Sequence, residues 1–229
     1  MKVTANIATM KGRESNLYQT LESILPQFDK VRIVFNGFDK LPSWAMDERI
    51  EPIFPKDDLT DNGKFYSLDP KRKEYYFTLD DDIIYPADYV ERTIEAIEKY
   101  GCIVSYHGRI LNPKETTYYR GKHQFFHCAR GEHKNLRLDV CGTGVTAFRT
   151  DYFCPKGLHN HEYKRMSDLV FSLEAAKQGK VIGLINKPSG WIKPQEVKQS
   201  IYQSEVKTSQ VKQIELMNKI IELCQKERK

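Results

Sequence analysis

Short apolar runs rich in β-branched residues alternate with helical patterns along the first half of the chain. Residues 3–9 (VTANIAT) and 31–37 (VRIVFNG) predict two strands, and the second run ends in an Asn-Gly turn signal. Between them, the leucines and isoleucine of residues 17–25 recur at helical spacing. Strand, helix and strand in this order predict a βαβ unit with two parallel strands.

The same alternation continues further along the chain. Residues 49–54, 75–79 and 102–108 predict three more strands, and the strand at 75–79 is expected to be buried on both faces. A helix is predicted from Pro86 to about Tyr100, with its aliphatic side chains facing the core. The pattern therefore indicates an α/β fold of the nucleotide-binding kind, in which ligands sit beyond the carboxyl ends of the strands.

The pattern changes in the second half of the chain. Residues 112–137 mix aromatic rings with positive charges, and residues 138–148 (LDVCGTGVTAF) then predict one apolar strand that contains glycines. A helix is expected over residues 167–178, followed by a short strand at 181–186.

One apolar stripe marks the C-terminal segment, which is predicted to be mostly helical from Pro194 onward. Its members recur at helical spacing, and they are Val211, Ile214, Met217, Ile221 and Cys224. We therefore divide the chain into an α/β domain at 1–193 and a helical extension at 194–229. The stripe either packs on the domain's own core or docks onto a partner protein or a membrane surface.

Composition narrows the class of protein. With 40% hydrophobic and 29% charged residues in 229, the chain is expected to be globular rather than disordered. It shows no signal-peptide pattern and no apolar run near the ~20 residues of a membrane span. Five cysteines without CxxC spacing predict a reduced, cytoplasmic protein without disulfides or a zinc site. The net charge of +5, without a recognition motif, makes nucleic acid an unexpected partner.

Three consecutive carboxylates, Asp80, Asp81 and Asp82, follow the strand at 75–79. Neighbouring charges of this kind repel each other by roughly 1–4 kcal/mol. On an extended chain, Asp80 and Asp82 project to one side and Asp81 to the other. Two carboxylates on one side form a site for a hard cation such as Mg²⁺ or Mn²⁺. The alternative is an acidic cluster at the positive end of the next helix, but a helix cap needs one acid rather than three.

Other candidate residues are individually less specific. Gly63 allows a close backbone approach, and Lys64 suits a diphosphate, although an ordinary loop with an exposed lysine has the same sequence. Gly142 and Gly144 mark either a bulge or a surface against which a sugar lies. Asp168, near a predicted helix start, is either a cap residue or the group that positions an acceptor hydroxyl.

The basic aromatic segment at 112–137 also has two interpretations. Alternating rings and charges are typical of a half-exposed hairpin. The second interpretation is a binding surface for an anionic acceptor, formed by Arg120, Lys122 and Arg130.

Several motifs, in this order, resemble the exostosin-like GT-A-fold glycosyltransferases. They are NGF, DNGKF, FTLDDDIIYPADYVE, CIVSYHG and GTGVTAF. Within that family, the chain is most similar to the small α-N-acetylglucosaminyltransferases of bacterial heparosan-type capsule synthesis. The resemblance covers residues 1–191, and nothing beyond Gln195 matches. It implies a GT-A fold, which is a Rossmann-like, mostly parallel mixed sheet with flanking helices, here followed by a C-terminal helical tail.

The resemblance also implies roles for individual residues. Asp80 would contact the ribose of a UDP-sugar, and Asp82, with Asp80 beside it, would hold a Mn²⁺ (or Mg²⁺) ion that bridges the two phosphates. The implied catalytic residues are Asp168 near the donor sugar and the acceptor, Asp81 near the sugar and Lys193 at the leaving diphosphate. The implied donor-binding residues are Asn36, Gly63, Lys64, Gly142 and Gly144.

The implied activity is transfer of N-acetylglucosamine from UDP-GlcNAc to a growing, glucuronate-containing capsular polysaccharide, with retention of configuration. The implied location is the cytoplasm, with a partner transferase or the inner-membrane surface as possible docking sites for the tail. Two departures stand out: Ser167-Asp168 replaces the family's frequent acidic pair, and no histidine follows His161 as a metal ligand. Two alternatives stay open, namely an inverting transferase that uses another nucleotide sugar, and a non-catalytic protein that binds an anionic polymer.

Overall fold

The computed structural model of the chain describes residues 1–131, 134–197 and 210–227. Its centre is a large mixed sheet of eight strands in the described residues. In sheet order these strands are β3 (Ile50–Ile53), β2 (Lys30–Asn36), β1 (Lys2–Met10), β4 (Glu74–Leu79), β11 (Val145–Arg149), β6 (Ile103–Ser105), β12 (Ile182–Leu184) and β9 (Leu136–Leu138).

The first four strands of this order run parallel, as do β6 and β12. β11 is antiparallel to both of its neighbours, and β9 is antiparallel to β12. The predicted α/β fold with a mostly parallel mixed sheet is therefore confirmed. Because β1, β2 and β4 are adjacent and parallel, their carboxyl ends meet at one edge of the sheet. Asn36 and the aspartates after Leu79 lie at that edge.

The remaining strands form two small sheets beside the large one. One contains β10 (Val140–Cys141), β7 (Gly108–Ile110) and β8 (Gln124–Phe126), and the other pairs β13 (Lys193–Pro194) with β5 (Ile83–Ile84). The helices are α1 (Glu14–Ile24), α2 (Tyr89–Tyr100), α3 (Ser167–Lys177) and α4 (Gln210–Glu227), and a 3₁₀ helix spans Thr60–Phe65.

Helix α1 packs its leucines on the sheet and also supports the turn that carries the aspartates. Its buried Thr20 hydroxyl shares its one hydrogen between the backbone carbonyls of Asp81, at 3.0 Å, and Ile83, at 2.9 Å. Through Thr20, helix α1 therefore also fixes the backbone that follows β4.

Two sequence expectations about element boundaries are wrong. The second helix begins at Tyr89 rather than Pro86, because the Tyr89 amide donates back to the Pro86 carbonyl and residues 86–88 form a turn. Residues 138–148 do not form one strand but divide among β9, β10 and β11. β10 pairs with β7, whereas β11 pairs with β4 and β6, so the chain must turn at residues 142–144 to pass from one sheet to the other.

The C-terminal helix packs on the domain's own core. Leu216, Met217, Ile220 and Cys224 of α4 are buried in the same cluster as the apolar side chains of α3. Val211, by contrast, is 80% exposed, so its predicted place in the stripe is wrong. Residues 194–197 are not helical, and residues 198–209 lie outside the described part of the chain. Among the described residues, no helix combines the length and apolarity needed to cross a membrane.

Met217→Ala should lower the free energy of unfolding by about 2–5 kcal/mol, because Met217 has no exposed surface and its truncation leaves a cavity. Val211→Ala on the same helix is the matched control and should change it by less than ~0.5 kcal/mol. Urea unfolding of both variants measures the difference. Equal, small effects would show that α4 is not part of the core in solution.

Candidate active site

A cleft of about 1330 Å³ opens at the carboxyl ends of β1, β2 and β4. Pockets for a single drug-sized ligand usually measure ~300–1,000 Å³, so this cleft has room for more than one such group. Residues from both halves of the chain line it, and they include the three aspartates, Asn36, Lys64, Gly142 and Asp168.

The three aspartates occupy a turn between β4 and β5 rather than an extended segment. Lys64 forms an ion pair with Asp80. Arg13 donates from one guanidinium nitrogen to Asp82, at 2.7 Å, and to Asp81, at 3.2 Å. Asp81 and Asp82 thus share a cation, so Asp81 does not lie apart from the other carboxylates as it would on an extended chain, because the backbone turns here. The positive charges of Lys64 and Arg13 offset part of the repulsion among the three carboxylates.

Lys64 is a buried residue, with 3% of its surface exposed. Burial is the largest influence on the Lys64 pKa and lowers it, but the carboxylates of Asp80, Asp61 and Asp168 together raise it above its ordinary value. Lys64 therefore stays charged inside the protein. The alternative of an exposed loop lysine is wrong, because the 3₁₀ helix that carries Lys64 turns its side chain into the cleft.

Arg13 is a residue of the candidate site that the sequence did not reveal. It precedes α1, three residues after the end of β1, and its side chain lines the cleft. β1 lies next to β4 in the sheet, so the loop after β1 is adjacent to the aspartates after β4. Three crowded carboxylates require compensating cations, and a basic residue just beyond a neighbouring strand was the available signal.

Asp81 is the most buried of the three carboxylates, with 7% of its surface exposed. Its side chain accepts a hydrogen bond of 2.7 Å from the Thr9 hydroxyl. Burial raises the pKa of Asp81 to about 7, Arg13 opposes this rise, and the charge of Asp82 adds to it. Burial, and then the charge of Asp80, also raise the pKa of Asp82.

Asp81→Asn should remove a pH dependence of stability. The folded protein holds the Asp81 proton up to about pH 7, whereas the unfolded chain releases it near pH 3.8, so protonation of Asp81 stabilises the folded state. This stabilisation is fully present below pH 3.8 and is lost as the pH rises through 7. In chelator-treated buffer, the variant should therefore gain stability relative to wild type between pH 4 and 8, by a value on the order of 4 kcal/mol. Denaturant unfolding at both pH values measures it. A difference that is independent of pH would contradict an elevated Asp81 pKa.

The predicted glycines have different structural roles. A Cβ at position 144 would overlap the Asp80 carboxylate, and one at position 142 would overlap the His107 ring. These two glycines therefore let side chains of the cleft lie against the backbone. A Cβ at position 63 would instead lie 2.9 Å from the Val34 side chain, so Gly63 allows the 3₁₀ helix to pack on the sheet and does not line the cleft.

Asp168 is held by the turn that carries the glycines. Its Oδ1 atom accepts hydrogen bonds from the Thr143 amide and the Thr143 hydroxyl, both at 2.7 Å. Met166 occupies the N-cap position and Asp168 lies inside the first turn of α3, so the interpretation as a simple cap residue is wrong. Burial raises the pKa of Asp168, and the two bonds from Thr143 oppose that rise. The structure thus brings Asp168 into the same cleft as Asp80 and Lys64.

Of two other predicted site residues, Asn36 lines the cleft and Lys193 does not. Asn36 lines it and holds a loop, because its side chain accepts a hydrogen bond from the Leu59 amide and donates one to the Thr60 carbonyl. Lys193 is exposed on β13, opposite Ile84, and does not line the cleft. The predicted position of Lys193 at the leaving group is therefore not observed.

The basic aromatic segment forms one wall of the cleft, with alternating side chains. Tyr118 lines the cleft, and so does every second residue from the next one on, namely Tyr119, Gly121, His123, Phe125 and His127. Arg120 and Lys122 lie between them, are exposed and do not line it, and Arg130 is exposed beyond them. The half-exposed hairpin is thus what this segment forms. Besides Arg13 and Lys64, the cations in the cleft wall are Arg165 and Arg109, which lies 4.6 Å from the ring centres of Tyr118 and Phe125.

The aspartate turn fits a hard divalent cation. The side chains of Asp80 and Asp82 are 41% and 25% exposed and both line the cleft, so each offers carboxylate oxygen to it. Such oxygens are the ligands that Mg²⁺ and Mn²⁺ prefer. Gly144 provides the space in which the Asp80 carboxylate lies.

Comparison with known proteins leaves the family open. No protein-family model matches the chain, and no curated protein matches it significantly. What can be said of function therefore rests on the cleft and on the resemblance of its motifs.

Proposed function

We propose that the protein is a metal-dependent glycosyltransferase of the exostosin-like GT-A type. It would move N-acetylglucosamine from UDP-GlcNAc to a growing acidic polysaccharide, with retention of configuration. One observation carries the proposal: partly exposed Asp80 and Asp82 stand beside buried Lys64, at the edge where three parallel strands end. Anionic nucleotide ligands bind at such an edge in open α/β sheets.

On the donor side, Asp80 and Asp82 would hold Mn²⁺ or Mg²⁺, which supplies Lewis-acid stabilisation of a departing diphosphate. Lys64 orients the Asp80 carboxylate and keeps a positive charge in the wall of the cleft. Arg13 orients Asp81 and Asp82 from the opposite side. The position of the donor is thus set by groups whose own geometry is fixed by packing and hydrogen bonds.

On the acceptor side, Arg109 and Arg165 replace the basic residues that the sequence favoured. Both line the cleft, so both are placed to attract a sugar that carries a carboxylate. Asp168 lies in the same cleft on a separate helix, anchored through Thr143. In a retaining reaction it positions the acceptor hydroxyl, whereas in an inverting reaction it serves as the general base. A cytoplasmic location, close to a partner transferase or the inner-membrane surface, belongs to the same proposal.

The test incubates the full chain with Mn²⁺ and a panel of UDP- and other nucleotide sugars, with an oligosaccharide acceptor ending in glucuronate. We expect UDP release and chain extension with UDP-GlcNAc, and NMR of the product gives the anomeric configuration. An inverted product would favour the inverting alternative. Binding of the acidic oligosaccharide without release of any nucleotide would favour the non-catalytic binding protein.

A further inference from the structure

Three potential metal ligands, distinct from the aspartates, lie together at the cleft: His107 and His127, which line it, and Cys128, which is buried beside them. One ligand atom from each side chain lies within 4.8 Å of the other two. The strand register explains why. Gly108 of β7 pairs with Phe126 of β8, so His107 just before β7 and His127 just after β8 become neighbours across the two strands. Their ring centres are 5.2 Å apart.

The chemistry of these ligands differs from that of the aspartate turn. Two imidazoles and a thiolate suit Zn²⁺ and other borderline or soft metal ions, whereas carboxylates suit Mg²⁺ and Mn²⁺. Burial is the main reason that the pKa of His107 falls to about 3 and that the pKa of His127 is also lowered. Both rings are therefore uncharged at neutral pH, which is the form that ligates a metal.

We propose that His107, His127 and Cys128 form a binding site for Zn²⁺ or a similar metal ion, separate from the aspartate turn. An equilateral triangle with 4.8 Å sides has its centre about 2.8 Å from each corner, against ~2.0–2.3 Å for bonds of Zn²⁺ to nitrogen and sulfur. Inward shifts of roughly 0.5–0.8 Å or less therefore bring all three atoms to bonding distance. Both histidines line the cleft, so the cleft supplies a fourth ligand, such as water.

Metal binding here has an identifiable cost. The Nδ1 atom of His107 accepts a hydrogen bond from the Cys128 amide at 3.3 Å, and that of His127 accepts one from the Ala129 amide at 3.2 Å. A metal ion on Nδ1 takes the lone pair that accepts this hydrogen bond. A metal ion on Nε2 instead leaves the ring proton on Nδ1, which can then no longer accept. In either case both hydrogen bonds are lost. Both are at or beyond the long end of the usual N–H···O range. Cys128 must also lose its proton, although burial raises the pKa of its thiol to about 11.

This proposal departs from the sequence expectation that the chain has no zinc site. That expectation rested on the absence of CxxC and other metal-binding spacings. His107 and His127 are twenty residues apart and meet only through the pairing of β7 with β8. Cysteine and histidine spacing therefore gave no indication of the cluster.

The test titrates the metal-free full chain with Co²⁺, a spectroscopic substitute for Zn²⁺, at neutral pH. Binding of Co²⁺ to a thiolate produces a sulfur-to-metal charge-transfer band in the near ultraviolet. We expect this band at one Co²⁺ per chain, bleached by Zn²⁺ and unaffected by excess Mg²⁺, which has little affinity for sulfur. Asp82→Asn should leave the band unchanged, so the result does not depend on the proposed transferase activity.

Two ligand variants and two matched controls identify the site. Cys128→Ser should abolish the band, and His127→Gln should weaken Co²⁺ binding by at least roughly tenfold. Cys154→Ser and His159→Gln, which change a partly buried cysteine and a histidine outside the cluster, should leave it intact. Absence of the band from the wild type, or its persistence in Cys128→Ser, would overturn the proposal. If Cys128→Ser does not fold, unchanged Co²⁺ affinity in a folded His127→Gln protein overturns it equally.

Discussion

Asp82→Asn is expected to abolish sugar transfer while the protein stays folded. The variant keeps the size of the side chain but removes a charge that is proposed to hold the metal ion. Metal stabilisation of a departing diphosphate contributes several kcal/mol, so turnover should fall by at least about a hundredfold. UDP release measures the rate, and electron paramagnetic resonance of free Mn²⁺ measures metal affinity in the presence of UDP. Both should decrease together.

The structure also explains why this variant should remain stable. The asparagine retains an oxygen that can accept from Arg13, and Arg13 keeps its bond to Asp81, so no cation is left buried alone. Repulsion between Asp80 and Asp82 is removed at the same time. Asp57→Asn is the matched control, because Asp57 is exposed and lies outside the cleft. Full activity of Asp82→Asn in metal-stripped buffer would contradict a metal role for this turn.

The fold could be predicted where local pattern determines it. The order of β1, α1 and β2 follows from hydrophobic period, and parallel pairing follows from the helix between the strands. The division of residues 138–148 could not be predicted, because a continuous apolar run looks the same whether it stays in one sheet or passes between two. Which strands β10 and β11 pair with is decided by distant residues.

The candidate site shows the same limit. The rule that ligands lie beyond strand ends placed the aspartates correctly, since it needs only their position after a buried strand. The contact of Arg13 with Asp82 depends on β1 lying beside β4, which the sequence does not state. The family resemblance alone implies a role for Lys193, and its exposed place on β13 shows that order along a chain does not determine distance.

Asp168 is expected to contribute to turnover through its charge and to stability through its hydrogen bonds, and two substitutions separate these effects. Asp168→Asn keeps an oxygen that can accept from Thr143 but removes the charge. Asp168→Ala removes both, and leaves the Thr143 amide and hydroxyl without this acceptor. We expect both variants to lose about a hundredfold or more in kcat, within the range of acid–base and positioning effects. Only the alanine variant should also lose stability, by ~1–3 kcal/mol.

The affinity for UDP distinguishes an acceptor-side role from a donor-side role. Asp168 lies on α3, whereas Asp80, Asp82 and Lys64 lie on or after elements of the first half of the chain. If Asp168 acts on the acceptor, calorimetry should give Asp168→Asn a Kd for UDP within about threefold of wild type, a difference below ~0.7 kcal/mol. A parallel loss of UDP affinity and kcat would place Asp168 at the donor instead. A fully active Asp168→Asn protein would reduce the residue to an anchor for the turn at Thr143, because that variant lacks only the charge.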